Sequence, residues 1–104
     1  MEEEFWNWEY ECEQRRRKYE SLVRDTKLFY WKLLSDYTKQ YHKDLWRAKR
    51  IRKMDVPNIQ SAYEYHSHQM LLRKENALKT LEWTRQQELI ALERMKPKEI
   101  FSQQ

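Results

Sequence analysis

His66 and His68 stand two residues apart, with Glu64 just before them. Metal ligation is the chemistry such a group offers. Helical spacing works against a shared site: residues two apart point to different faces, so His66 and His68 diverge, while Glu64 and His68 share a face. No third ligand follows at a recognisable spacing, and the paired-histidine helix of zinc proteases is absent. Polar side chains at an interface are the plainer reading, with a metal site or a pH switch as the sharper one. Cys12 and His42 are a second pairing, of nucleophile and base. On one straight helix they would stand about 45 Å apart at the standard rise, so Cys12 reads as a small apolar seam residue. The chain has no glycine-rich phosphate loop and no serine elbow. The expectation is a chain that is not an enzyme, with no cofactor, no metal and no small-molecule substrate.

Two basic clusters offer a different chemistry. Arg15, Arg16, Arg17 and Lys18 form the first; Arg47, Lys49, Arg50, Arg52 and Lys53, around Trp46, form the second. Base stacking beside phosphate contacts uses this mixture, and the second run could pass for a nuclear localisation signal. The plainer readings are a solvated helix face with i,i+4 pairing to nearby acids and a contact with an acidic protein surface. Arginine favours bidentate carboxylate or phosphate partners. The whole chain carries 21 basic and 17 acidic residues, a formal charge of +4. That is mild for a dedicated nucleic-acid binder. An acidic protein partner is preferred, with nucleic acid behind it.

Any of these residues must be positioned by rods. The 104-residue chain contains no glycine and only two prolines, Pro57 and Pro97. Glycine supplies the positive-φ positions of tight turns and helix C-caps. A chain without any has little use for sharp turns or active-site corners. Leu, Ile, Val and Phe together make up just under a fifth of it, and mean hydropathy is −1.20. That level warns of disorder, but five Trp and seven Tyr argue the other way, since disordered chains are poor in aromatics. Tyr and Trp combine an apolar body with a polar tip and are enriched at protein interfaces. The lone Cys12 points to a reducing compartment. The opening Met-Glu-Glu-Glu lacks the basic end and apolar run of a secretory leader, and its acids argue against a mitochondrial presequence. No stretch approaches the ~20 apolar residues of a membrane span.

The spacing predicts an all-α chain, a single elongated unit over residues 1–104. A first helix covers about 3–54 and a second about 59–96, broken at Asp55–Asn58. Three acids open the first helix at the positive end of its dipole. Its seam reads Phe5, Trp8, Cys12, Tyr19, Leu22, Thr26, Phe29, Leu33, Tyr37, Tyr41, Leu45, Ala48 and Ile51 at near-heptad period, crossed at Arg15 by the first basic run. Pro57 pushes Val56 towards extended backbone, and Asp55 or Asn58 can cap the next helix. The second helix carries Leu71, Leu78, Leu81, Leu89, Leu92 and Met95, and Pro97 ends it. Ile100 and Phe101 are a possible anchor in the tail. The linker is short enough for an antiparallel hairpin, and an end-to-end arrangement along a partner is the alternative. Leu28, Phe29, Tyr30, Trp31, Leu33 and Leu34 cover most of the circumference, as in a surrounded helix. Trp6, Trp31 and Trp46 lie off the stripe and suggest a second contact surface. The expected chain is not a self-contained globule. Its expected anchors are Phe29, Tyr30, Trp31, Leu33 and Leu34, then Trp46 with Arg47 and Arg50, then Leu78, Leu81 and Leu89.

The segment Arg73-Lys-Glu-Asn-Ala-Leu-Lys-Thr-Leu-Glu-Trp-Thr-Arg-Gln-Gln-Glu-Leu-Ile-Ala-Leu-Glu-Arg-Met95 resembles a helical pattern of the microtubule inner proteins. These are small proteins lining the lumen of ciliary and flagellar doublet microtubules. In that pattern an Arg-rich start leads to Ala-Leu-x-x-Leu, then a polar stretch, Glu-Leu and a short tail with an aromatic. Ala77-Leu78, Leu81, Glu88-Leu89 and Phe101 match those parts over about a quarter of the chain. Pro97 stands where a glycine-containing tail belongs. The resemblance implies a structural protein of the axonemal cytoskeleton that binds tubulin and neighbouring inner proteins and stabilises the doublet. Leu22-Val23-Arg24 and Phe29 resemble a second family, the small mitochondrial proteins with a Leu-Tyr-Arg motif, with Val23 in place of the Tyr. That implies an accessory subunit of a mitochondrial or ribonucleoprotein complex. A coiled-coil adaptor is the third alternative.

Overall fold

The computed structural model describes residues 2–97, so Ile100 and Phe101 lie outside the described residues. Helix α1 spans Glu2–Ile51, a single 3-10 turn spans Lys53–Asp55, and helix α2 spans Val56–Arg94. No strand occurs among the described residues. Glu2, Glu3 and Glu4 occupy the first turn of α1, and Lys49 and Arg50 its last. Both sets complement the helix dipole.

The break differs from the sequence expectation. Helical backbone stops at Arg52, with φ −141° and ψ 81°, rather than at Asp55–Asn58. Val56 is helical, with φ −56° and ψ −50°, and donates its N–H to the Lys53 carbonyl. That hydrogen bond overrides the extended bias of a residue before proline. Pro57 consequently sits in the first turn of α2, where a missing N–H leaves no intrahelical bond unmade. Asn58 lies inside that turn, so it cannot be the cap. None of the described residues has positive φ. One extended residue and a 3-10 turn therefore do the work a left-handed glycine often does at a helix C-terminus.

The chain divides into two units, one of residues 2–24 and 79–97, the other of residues 25–78. Within each, a stretch of α1 runs antiparallel to a stretch of α2, so the end-to-end arrangement does not occur. In the first unit Trp8 Nε1 donates to the Leu92 carbonyl at 2.6 Å. That carbonyl lies in the last turn of α2, where acceptors outnumber intrahelical donors. Arg15 Nη1 and Lys18 Nζ flank the Glu88 carboxylate at 3.9 and 3.7 Å. In the second unit, which is a helical hairpin, Tyr63 stacks on Tyr37 and Tyr41 at 5.6 and 4.0 Å between centroids. Thr38 Oγ1 and the Tyr63 hydroxyl share a hydrogen bond of 2.9 Å.

The seam of α1 follows a different frame from the heptad reading. The half-buried or buried positions run Phe5, Trp8, Cys12, Arg15, Tyr19, Val23, Thr26, Tyr30, Leu34, Tyr37, Tyr41, Leu45 and Ala48. Leu22, Phe29, Leu33 and Ile51, assigned to the seam by the near-heptad spacing, are exposed. A straight α-helix drifts about 20° per heptad from a 3.5-residue repeat, and the real frame keeps to 3.6. On α2, Ile59, Tyr63, Met70, Ala77, Leu81, Glu88 and Leu92 are half-buried and Leu71 is exposed, as is Met95 just past the helix. Only Tyr19 and Ala48 count as buried among the described residues. Neither unit encloses a core.

Candidate protein-interaction surfaces

Each turn of the seam is made of one or two side chains, so most large apolar residues stay outside it. In the second unit, Leu28, Phe29, Trp31, Leu33 and Trp46 are exposed on α1. At about 100° per residue, Leu28 and Trp46 share one direction away from the seam, and Trp31 lies about 60° from them on one flank. Phe29 and Leu33 lie on the opposite flank. Tyr30 and Leu34, grouped with them in the sequence, are half-buried in the seam instead. The expected anchor cluster therefore splits. Phe29, Trp31 and Leu33 are available to a partner, and Tyr30 and Leu34 are used by the hairpin.

Trp46 carries the Arg50 guanidinium over its ring, with Cζ 4.4 Å from the centroid. This cation–π contact holds an exposed arginine in place. Arg47, the residue after Trp46, is also exposed. Leu78 and Leu81 are half-buried, whereas Leu89 is exposed along a cleft of about 380 Å³ in the first unit. Trp8, Cys12, Arg15, Tyr19 and Glu88 also line that cleft.

Further exposed aromatics were not among the expected anchors. Trp6 and Tyr10 stack on each other at 5.6 Å with planes 14° apart, and both are exposed, as is Trp83 on α2. Spacing i,i+4 off the seam was the signal available for Trp6 and Tyr10. Trp83 had none, because it lies between seam positions on a helix of low amphipathicity. Altogether Trp6, Trp31, Trp46 and Trp83 each leave more than 60% of their surface open.

The two basic clusters separate clearly. Arg16 reaches Glu20 at 2.6 Å and Glu13 at 3.0 Å, Arg17 reaches Glu13 at 3.0 Å, and Arg15 reaches Glu11 at 3.9 Å. Hydrogen bonds from Arg16 and then Arg17 hold the Glu13 carboxyl below its ordinary value. The first cluster is neutralised by acids of its own helix and by Glu88 of α2. In the second, Arg52 approaches Asp55 at 3.8 Å. Lys49, Arg50 and Arg47 make no ion pair among the described residues.

The groups considered for catalysis are placed as follows. Burial, then Glu93, Glu11 and Glu9, push the Cys12 thiol up, the opposite of an activated cysteine. Cys12 belongs to one unit and His42 to the other. His66 packs edge-on against Tyr37 and Tyr65, at 6.2 and 5.3 Å. No group of three or more His, Cys, Asp or Glu able to hold a metal occurs among the described residues. No helix among them is long and apolar enough to cross a membrane. Burial and then a hydrogen bond to Glu88 raise the Tyr19 phenol.

Comparison with protein-family models, with curated proteins and with solved structures finds no match to this chain.

Proposed function

We propose that this chain is a non-enzymatic structural subunit that lies against other proteins of a large assembly. The carrying observation is the exposure of four of its five tryptophans. Tryptophan is highly buried on average, and exposed tryptophans with arginine are the residue types that dominate binding energy at interfaces. The absence of an enclosed core supports the same reading, because a subunit seated permanently in a larger structure can bury its apolar surface there.

The assembly proposed is the wall of the ciliary doublet microtubule, with tubulin and other axonemal proteins as neighbours. The support for this finer reading is the likeness of residues 73–95 to the inner-protein pattern. Ala77 and Leu81 of that pattern are half-buried on α2, and Trp83 and Leu89, further along the helix, are exposed.

The experiment is to express the tagged chain in ciliated cells, isolate doublets and wash them with high salt. Retention on the doublets is the expected result. Trp31→Ala should weaken retention by an anchor's worth, about 2 kcal/mol. Release into the soluble or mitochondrial fraction would overturn the axonemal assignment. RNA recovered with the chain, lost steeply with salt, would favour a ribonucleoprotein subunit. A stable homo-oligomer with a sharp thermal transition would favour a coiled-coil adaptor.

A further inference from the structure

The turn end of the second unit concentrates positive charge that the chain itself does not neutralise. Lys43, Arg47, Lys49, Arg50, Arg52 and Lys53 fall within eleven residues, with Asp44 as the one acid among them. Asp44 is engaged by Gln40 Nε2 at 2.9 Å, and Asp55 faces Arg52. Among the described residues, Lys43, Arg47, Lys49, Arg50 and Lys53 make no ion pair. The contrast with Arg15 to Lys18, which pair with Glu11, Glu13, Glu20 and Glu88, shows that this chain supplies acids where it neutralises its own basic runs.

Charge is combined with apolar surface at the same place. Ile51 is 72% exposed and Met54 is 84% exposed. Ala48, Ile51 and Ile59 form the apolar part of a cleft of about 300 Å³, with Arg47, Arg52, Asp44 and Asp55 around it. The cleft has room for one large apolar side chain; Arg47 lines it, and Arg50 lies on another face of the same turn, over the Trp46 ring.

We propose that this end of the hairpin is a docking site for an acidic segment of a partner protein, one that places an apolar side chain among carboxylates. It deepens the reading of the chain as a protein-binding subunit and rests on that reading. Arginine forks take carboxylates in pairs, and Ile51 and the cleft take the apolar side chain. A nucleic-acid backbone matches the charge but offers nothing for Ile51 and Met54, and one face of Trp46 is already covered by Arg50. An acidic segment with an apolar side chain is therefore the occupant that uses both the unpaired positive charge and the exposed apolar surface of the site.

The test uses the full chain and three labelled probes in fluorescence anisotropy. These are a short peptide alternating glutamates with leucines, an all-glutamate peptide of equal charge, and a single-stranded RNA oligonucleotide. The leucine-bearing peptide should bind about tenfold more tightly than the all-glutamate one, the discrimination of one buried side chain. Arg47→Glu with Arg50→Glu should weaken it by at least about tenfold, with helicity by circular dichroism unchanged. Ile51→Ser should erase the preference for leucine while retaining salt-sensitive binding. Equal or tighter binding of RNA would overturn the proposal in favour of nucleic acid, and no binding of the leucine-bearing peptide would overturn it outright. A chain that stays on doublets yet ignores the peptide removes this site alone. A chain that binds the peptide but never joins doublets keeps the site and removes the assembly.

Discussion

Tyr41 and Tyr63 lie face to face between the two helices of the hairpin unit, with centroids 4.0 Å apart and planes 14° apart. Tyr63 is also stacked on Tyr37 and shares its hydroxyl with Thr38. One α2 side chain thus meets three α1 side chains, Tyr37, Thr38 and Tyr41. With so little burial elsewhere, this stack sets the register of the hairpin.

Tyr63→Ala should lower stability by about 2 kcal/mol, the sum of two aromatic contacts and a half-buried side chain. Tyr63→Phe keeps both stacks and loses one hydrogen bond, costing about 1 kcal/mol. Urea unfolding followed by circular dichroism measures both, and equal losses for the two variants would remove the stacking account.

Trp8 and Trp31 should respond in opposite ways. Trp8→Phe loses the bond to the Leu92 carbonyl and should destabilise the isolated chain by about 1 kcal/mol. Trp31→Ala removes an exposed ring and should change stability by less than about 0.5 kcal/mol, while impairing assembly. A large stability loss from Trp31→Ala would mean that this ring supports the fold rather than a partner.

Acid should weaken the first unit through Glu13 and Glu82. Arg16 and Arg17 depress the first carboxyl, and Arg85 depresses the second. A carboxyl whose folded pKa is depressed contributes stability that is fully present above its unfolded value. That contribution should hold above the ordinary 4.5 and be lost as pH falls further, through the folded values. Glu13→Gln should flatten part of this profile, and added salt should shrink it because the pairs are exposed. Thermal melts across the acid range decide, and an unchanged profile in the variant would exclude Glu13 as a contributor.

Arg52→Gly tests why the chain can do without glycine. Arg52 has φ −141°, extended backbone that any residue adopts. Glycine there gains nothing in the folded state and adds freedom to the unfolded one, so stability should fall by about 0.5–1 kcal/mol. An increase in stability would indicate a left-handed turn that the structure does not contain.

The Cys12 thiol should alkylate several-fold more slowly than an unstructured cysteine at mildly alkaline pH, because a raised pKa leaves less thiolate. Iodoacetamide kinetics by mass spectrometry measure this, and faster modification would contradict its setting among Glu9, Glu11 and Glu93.

Much of the architecture was legible beforehand. Two long helices and a single break follow from helical spacing, from the absence of glycine and from Pro57. The break itself was placed three residues late, because the local bias of Val56 was weighed without the Lys53 carbonyl that overrides it. The seam was legible over much of its length and misread at Leu22, Phe29, Leu33 and Ile51. Leu22, Phe29 and Leu33 fit a heptad as well as Val23, Tyr30 and Leu34 fit a 3.6-residue repeat, and a hydrophobic count prefers the first set. The exposed tryptophans were partly visible: Trp6, Trp31 and Trp46 stood off the stripe, and Trp83 did not announce itself.

By itself the sequence determined that this chain is helical, that it bends once, and that its apolar residues outnumber what one seam can hold. These are local properties, set by propensity, spacing and turn chemistry. Only the tertiary structure decided which aromatics the chain keeps and which it leaves open. It also decided that Arg15 to Lys18 are neutralised within the chain while Lys49 and Arg50 are not. Those outcomes depend on the rotation of α1 about its axis and on which α2 residues arrive opposite it. A shift of one residue turns a helix face by about 100°, enough to exchange Tyr30 for Phe29. No count along the chain resolves that choice, because it is made by Tyr63, Leu92 and Glu88 finding their partners across the seam.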